Sequence, residues 1–197
     1  MRLTAPPLSV LIVSGSGRTA GAVASMLEPS EFAPVSVVNS GAEARRELVS
    51  AGYDIVMISA PLPDEFGDEL AMDTAARGAS AVLLIVRDDI AEEVGFRVEE
   101  YGVVTLAKPV SPAQFRQSLK MCAAFARRIR RYEDENEKLR VKIDDIKLIE
   151  RAKWALRTTL GMSEEQAHRY IEKQAMDRRA SKREVAEAIL RTYESGG

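Results

Sequence analysis

Residues 113–160 contain neither glycine nor proline, and this unbroken run constrains the chain more than any other feature. Those two residues are the strongest helix breakers, so one helix can run continuously from a domain before the run into a domain after it. Within the run a seam recurs at spacings of three and four: Cys122, Phe125, Ile129, Tyr132, Asn136, Leu139, Ile143 and Ile146. With Cys122 at position a of a heptad, the a positions are Cys122, Ile129, Asn136 and Ile143, and the d positions are Phe125, Tyr132, Leu139 and Ile146. β-Branched residues at a with Leu at d favour a parallel two-stranded coiled coil, and a polar Asn at a pins register and orientation. Across such a dimer Arg128 faces Glu133 and Glu135 faces Arg140, both attractive. Lys142 faces Lys147, which is repulsive, so the coil is expected to splay or end there. The simpler alternative is a single helix whose seam packs on its own domain.

Ahead of this run the chain alternates. Leu8–Val13, Val35–Val38, Asp54–Ser59, Ala81–Val86 and Val103–Leu106 are short runs dominated by Val, Ile and Leu, the pattern of strands buried on both faces. Amphipathic or Ala-rich segments at about 18–28, 41–51, 66–77 and 89–101 lie between them. Gly52, Gly78 and Gly102 each follow such a segment, where a helix end favours a left-handed residue. Strands alternating with helices predict an open parallel α/β sheet of five strands. Ser111-Pro112 predicts the start of the next helix, with Ser as N-cap and Pro in the first turn.

The segments DIVMISAPLPDEFG (54–67) and LAKPVSP (106–112) make residues 8–118 resemble the receiver domain of bacterial response regulators, a flavodoxin-like fold. The resemblance implies a phosphoryl-accepting Asp at the end of the third strand and a Mg²⁺ held by acidic residues after the first. Here Ser59 stands at the acceptor position and Ser14-Gly15 follows the first strand. The Thr or Ser expected at the end of the fourth strand is replaced by Val86 or Arg87. Of the expected chemistry only Lys108 remains, followed by Pro109, which on a plainer reading shapes its loop through a cis bond. A Ser hydroxyl without a metal or a base is a poor phosphoryl acceptor. The expectation is a pseudo-receiver that is not phosphorylated at Ser59. The Gly-rich stretch Ser14–Arg18 fits a loose dinucleotide fingerprint through Gly15, Gly17 and Ala20. The second strand ends at Val38-Asn39 with no acidic residue for a ribose, so loop filling is favoured over nucleotide binding.

Beyond the seam the punctuation is clear. Gly161 ends a helix, and Ser163–Gln166 and Ser181–Glu184 are capping boxes, in which the Ser and the residue three positions on satisfy each other's backbone N–H. Three helices follow: one to Leu160, one at about 164–178 and one at about 182–194. Their apolar stripes are Ile149, Ala152, Leu156 and Leu160; Ala167, Ile171 and Ala175; and Val185, Ile189 and Tyr193. So small a unit is expected to lean on the coiled coil.

The pieces Ile149-x-x-Ala152-Lys153, Leu160-Gly-Met-Ser-Glu-Glu-x-Ala167, Gln174-Ala-Met176 and Glu184-Val-Ala186 resemble the ANTAR domain, the RNA-binding module of bacterial transcription antiterminators. Receiver, coiled coil and ANTAR is also the family's usual order. Trp154 departs from the small residue expected after Ala-Lys. The resemblance implies that a dimer holds a tandem-hairpin leader RNA in its antiterminator form within a two-component signalling system. The residues are compatible with that. Lys147, Arg151, Lys153 and Arg157 fall on the polar side of the first helix, Arg169, Lys173, Arg178 and Arg179 add charge from the second, and Lys182 and Arg183 open the third. Such residues neutralise phosphates, and Trp154 and Tyr170 are candidate platforms for unpaired bases. Lys153, on the motif and on charge, is the leading single contact.

Charge separates the two parts. Residues 1–119 hold 9 basic and 16 acidic residues, net −7, and residues 120–197 hold 19 and 14, net +5. Over 145–197 the balance is only +2, from 11 basic and 9 acidic residues, so a dimeric adaptor meeting an acidic protein, or a DNA binder, stays open beside the RNA reading. One Cys and one His exclude a disulfide framework and a zinc finger. With no apolar run of membrane-spanning length and no signal peptide, a reduced, cytoplasmic, non-membrane protein is expected. No paired carboxylates, triad or metal cluster suggests an enzyme, and no cofactor is expected. The expected layout is a receiver-like unit at 1–118, a coiled-coil helix at 119–145 and an ANTAR-like three-helix unit at 146–197. The expected partners are leader RNA, a second copy of the chain, and a regulatory protein on the receiver-like unit.

Overall fold

The structure, a computed structural model, describes residues 6–193. The chain divides into two compact units, Met1–Glu133 and Asp134–Gly197.

In the first unit five strands, β1 (Leu8–Ser14), β2 (Phe32–Val38), β3 (Ile55–Ser59), β4 (Ala81–Arg87) and β5 (Val104–Lys108), form one sheet in the order β2-β1-β3-β4-β5. Every pairing is parallel, with Ser14 beside Ser59, Ser59 beside Ile85 and Arg87 beside Lys108. The helices are α1 (Gly17–Ser25), α2 (Gly41–Ser50), α3 (Asp68–Ala76), α4 (Ala91–Val98) and the opening of α5 (Pro112–Leu160). β1, β3 and β4 are buried on both faces, which is why their sequences are almost wholly apolar. One face packs Leu8, Val10, Ile12, Ile55, Met57 and Leu83 against α1 and against Phe115, Leu119, Cys122 and Ala126 of α5. The other packs Leu11, Val13, Val56, Ile58 and Leu84 against Ala44, Leu70, Ala71, Val94 and Val98. β2 is an edge strand, so it tolerates Pro34 and leaves Val35 and Val37 exposed.

Two expectations are corrected here. Gly78 and Gly102 adopt positive φ, but Gly52 does not, because α2 ends on Ala51 in an extended conformation. Gly67, at φ 108°, instead carries the left-handed turn into α3, where a Cβ would lie 3.1 Å from Ile58. Cys122 is fully buried in the sheet's core and so is not a seam residue. Burial pushes its thiol up to about 12.

At the N-terminal end of the sheet Asp54 is buried. Its carboxylate accepts from the Ser9 N–H and Ser9 Oγ, both at 2.6 Å, and forms a two-pronged ion pair with Arg130 of α5. Ser111 caps α5 with a capping box that the sequence reading missed: Gln114 N–H donates to Ser111 Oγ at 3.2 Å and Ser111 N–H returns to Gln114 Oε1 at 3.2 Å.

The second unit joins the C-terminal part of α5 to α6 (Glu164–Arg178) and α7 (Lys182–Tyr193). Both expected capping boxes form, Ser163 with Gln166 and Ser181 with Glu184. Gly161 at φ 64° separates α5 from α6, and Arg179 at φ 51° ends α6. The core is Ala152, Ala155, Leu156, Ala167, Ile171, Ala175, Val185, Ala186, Ile189 and Leu190. Leu160, expected in the first stripe, is instead 47% exposed, since it lies at the helix end beyond that core.

Candidate functional site

Two places in the molecule gather the chemistry anticipated from sequence: the C-terminal end of the sheet, and the charged surface of the three-helix unit.

At the sheet's C-terminal end Ser14, Ser59 and Lys108 converge from β1, β3 and β5. Lys108 Nζ donates to the Ala60 carbonyl at 2.6 Å, and burial lowers its pKa from the usual lysine value. Ser14 Oγ is tied into the turn before α1, donating to Ser16 O at 3.2 Å and accepting from Ser16 N–H at 3.3 Å. Gly15 leaves room for Pro63, whose ring would stand 2.8 Å from an added Cβ. The Lys108-Pro109 peptide is cis, as are Ala33-Pro34 and Ala60-Pro61. The β4 residue beside the site is Ile85. Val86 and Arg87, the positions expected there, are turned away: Val86 is buried in the opposite layer and Arg87 pairs with Asp89 at 2.7 Å. The receiver fold implies a Mg²⁺ at this place. The donors present are serine hydroxyls and one lysine, with no carboxylate among the lining residues, whereas Mg²⁺ wants carboxylate oxygens. These residues do not fit the ion.

On the three-helix unit the ten basic residues anticipated from sequence fall into distinct settings. Lys153 is corrected most. It is buried, 7% exposed, and its ammonium is held by Glu164, the first residue of α6, and by Glu150 at 2.7 Å. It is therefore not on the polar surface; its charge ties α5 to the start of α6. The hydrogen bond to Glu150 and then that to Glu164 raise its pKa, and Lys153 in turn holds the Glu164 carboxyl below its usual value. Arg157 joins Glu164 at 3.1 Å, Lys182 pairs with Glu172 at 2.6 Å, Arg183 with Asp145 at 2.6 Å and Glu187 at 3.0 Å, and Arg169 with Glu165. Lys147, Lys173, Arg178 and Arg179 are exposed and form no ion pair among the described residues. Arg151 is exposed and has a partner of its own. Trp154 is 63% exposed, directly beside the buried Lys153, whereas Tyr170 packs partly against the core. His168 lies on the surface 3.2 Å from Glu172.

Along α5 the seam is open to solvent in the single chain. Phe125, Tyr132, Leu139, Ile143 and Ile146 are between 43% and 61% exposed, Asn136 is exposed and Ile129 half-buried. Arg128 covers the Tyr132 ring at 5.4 Å and donates to its hydroxyl at 3.2 Å, which lowers the phenol's pKa.

The parallel sheet in the order 2-1-3-4-5, with its lysine at the end of β5, defines a receiver fold. Solved receivers match it. A signal receiver domain of an HD domain-containing protein from Pseudomonas fluorescens Pf-5 superposes with a TM-score of 0.58 at 16% identity, covering 66% of this chain and 97% of that one. A CheY-like response regulator receiver domain from Methylobacillus flagellatus gives 0.51 at 25% identity, covering 59% and 98%. Residues 137–190 match the ANTAR domain family. The chain thus joins a receiver-fold unit to a segment that matches the ANTAR domain, the layout of an ANTAR response regulator. It is 28% identical over 192 residues to the transcriptional regulatory protein PdtaR of Mycobacterium tuberculosis, covering 95% of this chain and 92% of that protein.

Proposed function

We propose that the chain is an RNA-binding regulator of transcription antitermination, acting as a parallel dimer on a leader RNA with paired hairpins. The observation that carries this reading is the match of residues 137–190 to the ANTAR domain, and the name of the mycobacterial relative, a transcriptional regulatory protein, agrees with it. The working division is a receiver-like part at 1–118, a dimerising helix at 119–145 and an RNA-binding part at 146–197. Phosphates are met first by Lys147, Lys173, Arg178 and Arg179, which carry no internal ion pair among the described residues. Arg157, Arg169, Lys182 and Arg183 join by exchanging exposed carboxylates for phosphates, a small cost because exposed pairs are worth about 0–1 kcal/mol. Trp154 is the exposed aromatic platform for an unpaired base. Two such units on one dimer bind two hairpins with avidity. The protein then acts by favouring one RNA fold over another through its differential affinity for the two.

The receiver-like unit takes no phosphoryl group at Ser59, since no metal-binding carboxylate stands beside it among the described residues. A regulatory protein docking on that unit is one source of input. A second reading, a dimeric adaptor for an acidic protein, draws support from the extensive ion pairing of the basic helices. The test is binding of the full chain to a two-hairpin leader RNA at two salt concentrations without a phosphodonor. The comparison variants are Trp154→Ala and the double variant Lys173→Gln/Arg178→Gln. Salt-sensitive binding that Trp154→Ala weakens and the double variant weakens further is expected. Absence of binding by the folded dimer would reject the RNA reading in favour of the adaptor.

A further inference from the structure

The C-terminal end of the sheet holds more than a degenerate acceptor. A hollow of about 270 Å³ is lined by Ser14, Gly15, Ser16, Ser59, Pro61 and Lys108. A second, of about 380 Å³, runs along α1 and the start of α5, lined chiefly by Val23, Met26, Ile85, Val110 and Phe115. Thr19, Ser59 and Lys108 line both, so the two adjoin, a polar end beside an apolar body. No acidic residue lines either part, and Lys108 is the sole formal charge.

The polar end is under-used. Ser59 is 8% exposed, yet its hydroxyl makes no hydrogen bond among the described residues, and it faces both hollows. Lys108 spends one of its three N–H donors on Ala60 O and forms no ion pair among the described residues. The first turn of α1, opening at Gly17 beside Ser16, adds backbone N–H groups that have no partner within the helix. A half-buried cation without a counter-charge, an unpartnered hydroxyl on a largely buried residue and a helix N-terminus at one spot are complementary to an anion.

We propose that this site binds a small organic anion, a carboxylate or phosphate monoester on an aryl or alkyl body, reversibly and without covalent transfer. The charged end takes a hydrogen bond from Lys108 Nζ and one from Ser59 Oγ. The body lies against Val23, Met26, Val110 and Phe115. Burial alone holds the Lys108 ammonium below its ordinary range, and a bound anion relieves that cost. The inference stands apart from RNA binding: either can fail without the other.

Calorimetric titration of the full chain with naphthyl phosphate, naphthoate, naphthol and inorganic phosphate tests it, using wild type, Lys108→Met and Ser59→Ala, each checked for native circular dichroism. At least one naphthyl anion is expected to bind wild type, and which one binds identifies the head group. Naphthol and inorganic phosphate are each expected to bind about tenfold more weakly, because each lacks one half of the match. Lys108→Met, which keeps an apolar stem, should weaken binding about tenfold, and Ser59→Ala about fivefold. Absence of binding by both anions, equal binding of naphthol, or affinity unchanged in both variants would overturn the proposal.

Discussion

Lys153 offers the sharpest test of what the basic residues of the ANTAR domain do. Its side chain is buried and its ammonium is spent on Glu150 and Glu164, so it should act on architecture. Lys153→Ala removes three buried methylenes, each worth about 0.8 kcal/mol, which gives a loss of roughly 2 kcal/mol. Lys153→Met keeps a stem of similar length and should lose about 1 kcal/mol or less, as volume-conserving changes do. Hydrogen exchange of the α6 amides reads this directly: about 2 kcal/mol corresponds to exchange about thirtyfold faster in the alanine variant, with much less change in the methionine variant. In RNA titrations the Met variant should keep the wild-type salt dependence, whereas losing one phosphate contact lowers the log–log slope by about 0.7–0.9. The ion pairs also set a pH window. The Glu164 carboxyl is lowered, so its contribution is present above the ordinary Glu range and is lost as pH falls through its depressed value. The Lys153 ammonium is raised, so its contribution is present below the ordinary Lys range and is lost as pH rises through its elevated value. The difference between wild type and Lys153→Met should therefore stay flat through neutral pH and vanish in acid. Native exchange in α6 of the Ala variant, together with a reduced salt slope, would refute this reasoning and restore Lys153 as an RNA contact.

The remaining expectations are simpler. Leu139→Arg and Ile143→Glu place charges on the exposed apolar seam of α5 and should shift the chain to monomer in sedimentation equilibrium, with native circular dichroism per residue. Arg130→Ala leaves the buried Asp54 with only its Ser9 hydrogen bonds, and should cost about 1–3 kcal/mol in urea unfolding. Cys122, held as a thiol by a pKa of about 12, should resist iodoacetamide in the native protein at mildly alkaline pH and react promptly in urea.

What was legible in the sequence follows from how local each signal is. The five strands stand out because a strand covered on both faces has no polar alternation to blur it. The helices of the ANTAR domain stand out because Ser163 and Ser181 find their partners within one turn. The losses came where a residue's fate depends on something distant. The heptad spacing through Cys122 is the spacing of any buried helix face, so periodicity alone cannot tell a dimer seam from contact with the chain's own sheet. The pairing of Lys153 with Glu150 lies within one helix, but Glu164 reaches it only across the turn at Gly161, which converts a surface cation into an internal brace. Arg130 and Asp54 meet across 76 residues with nothing nearby to announce it. Gly52 looked like a helix stop, but the preceding residue had already left the helix.

The capping boxes at Ser163 and Ser181 also bear on the order of folding. The starts of α6 and α7 are each closed by groups three residues apart, so neither start waits for tertiary structure. The sheet is built the opposite way: each of its pairings joins strands separated by a helix and its loops, and β1 meets β3, with Ser14 opposite Ser59, across the whole of the intervening β2. Short-range closure is fast and long-range parallel pairing is slow. A refolding chain should therefore gain the helical signal of residues 163–193 well before the sheet is assembled, leaving the charged surface of the ANTAR domain in place on a molecule whose receiver-fold half is still unfinished.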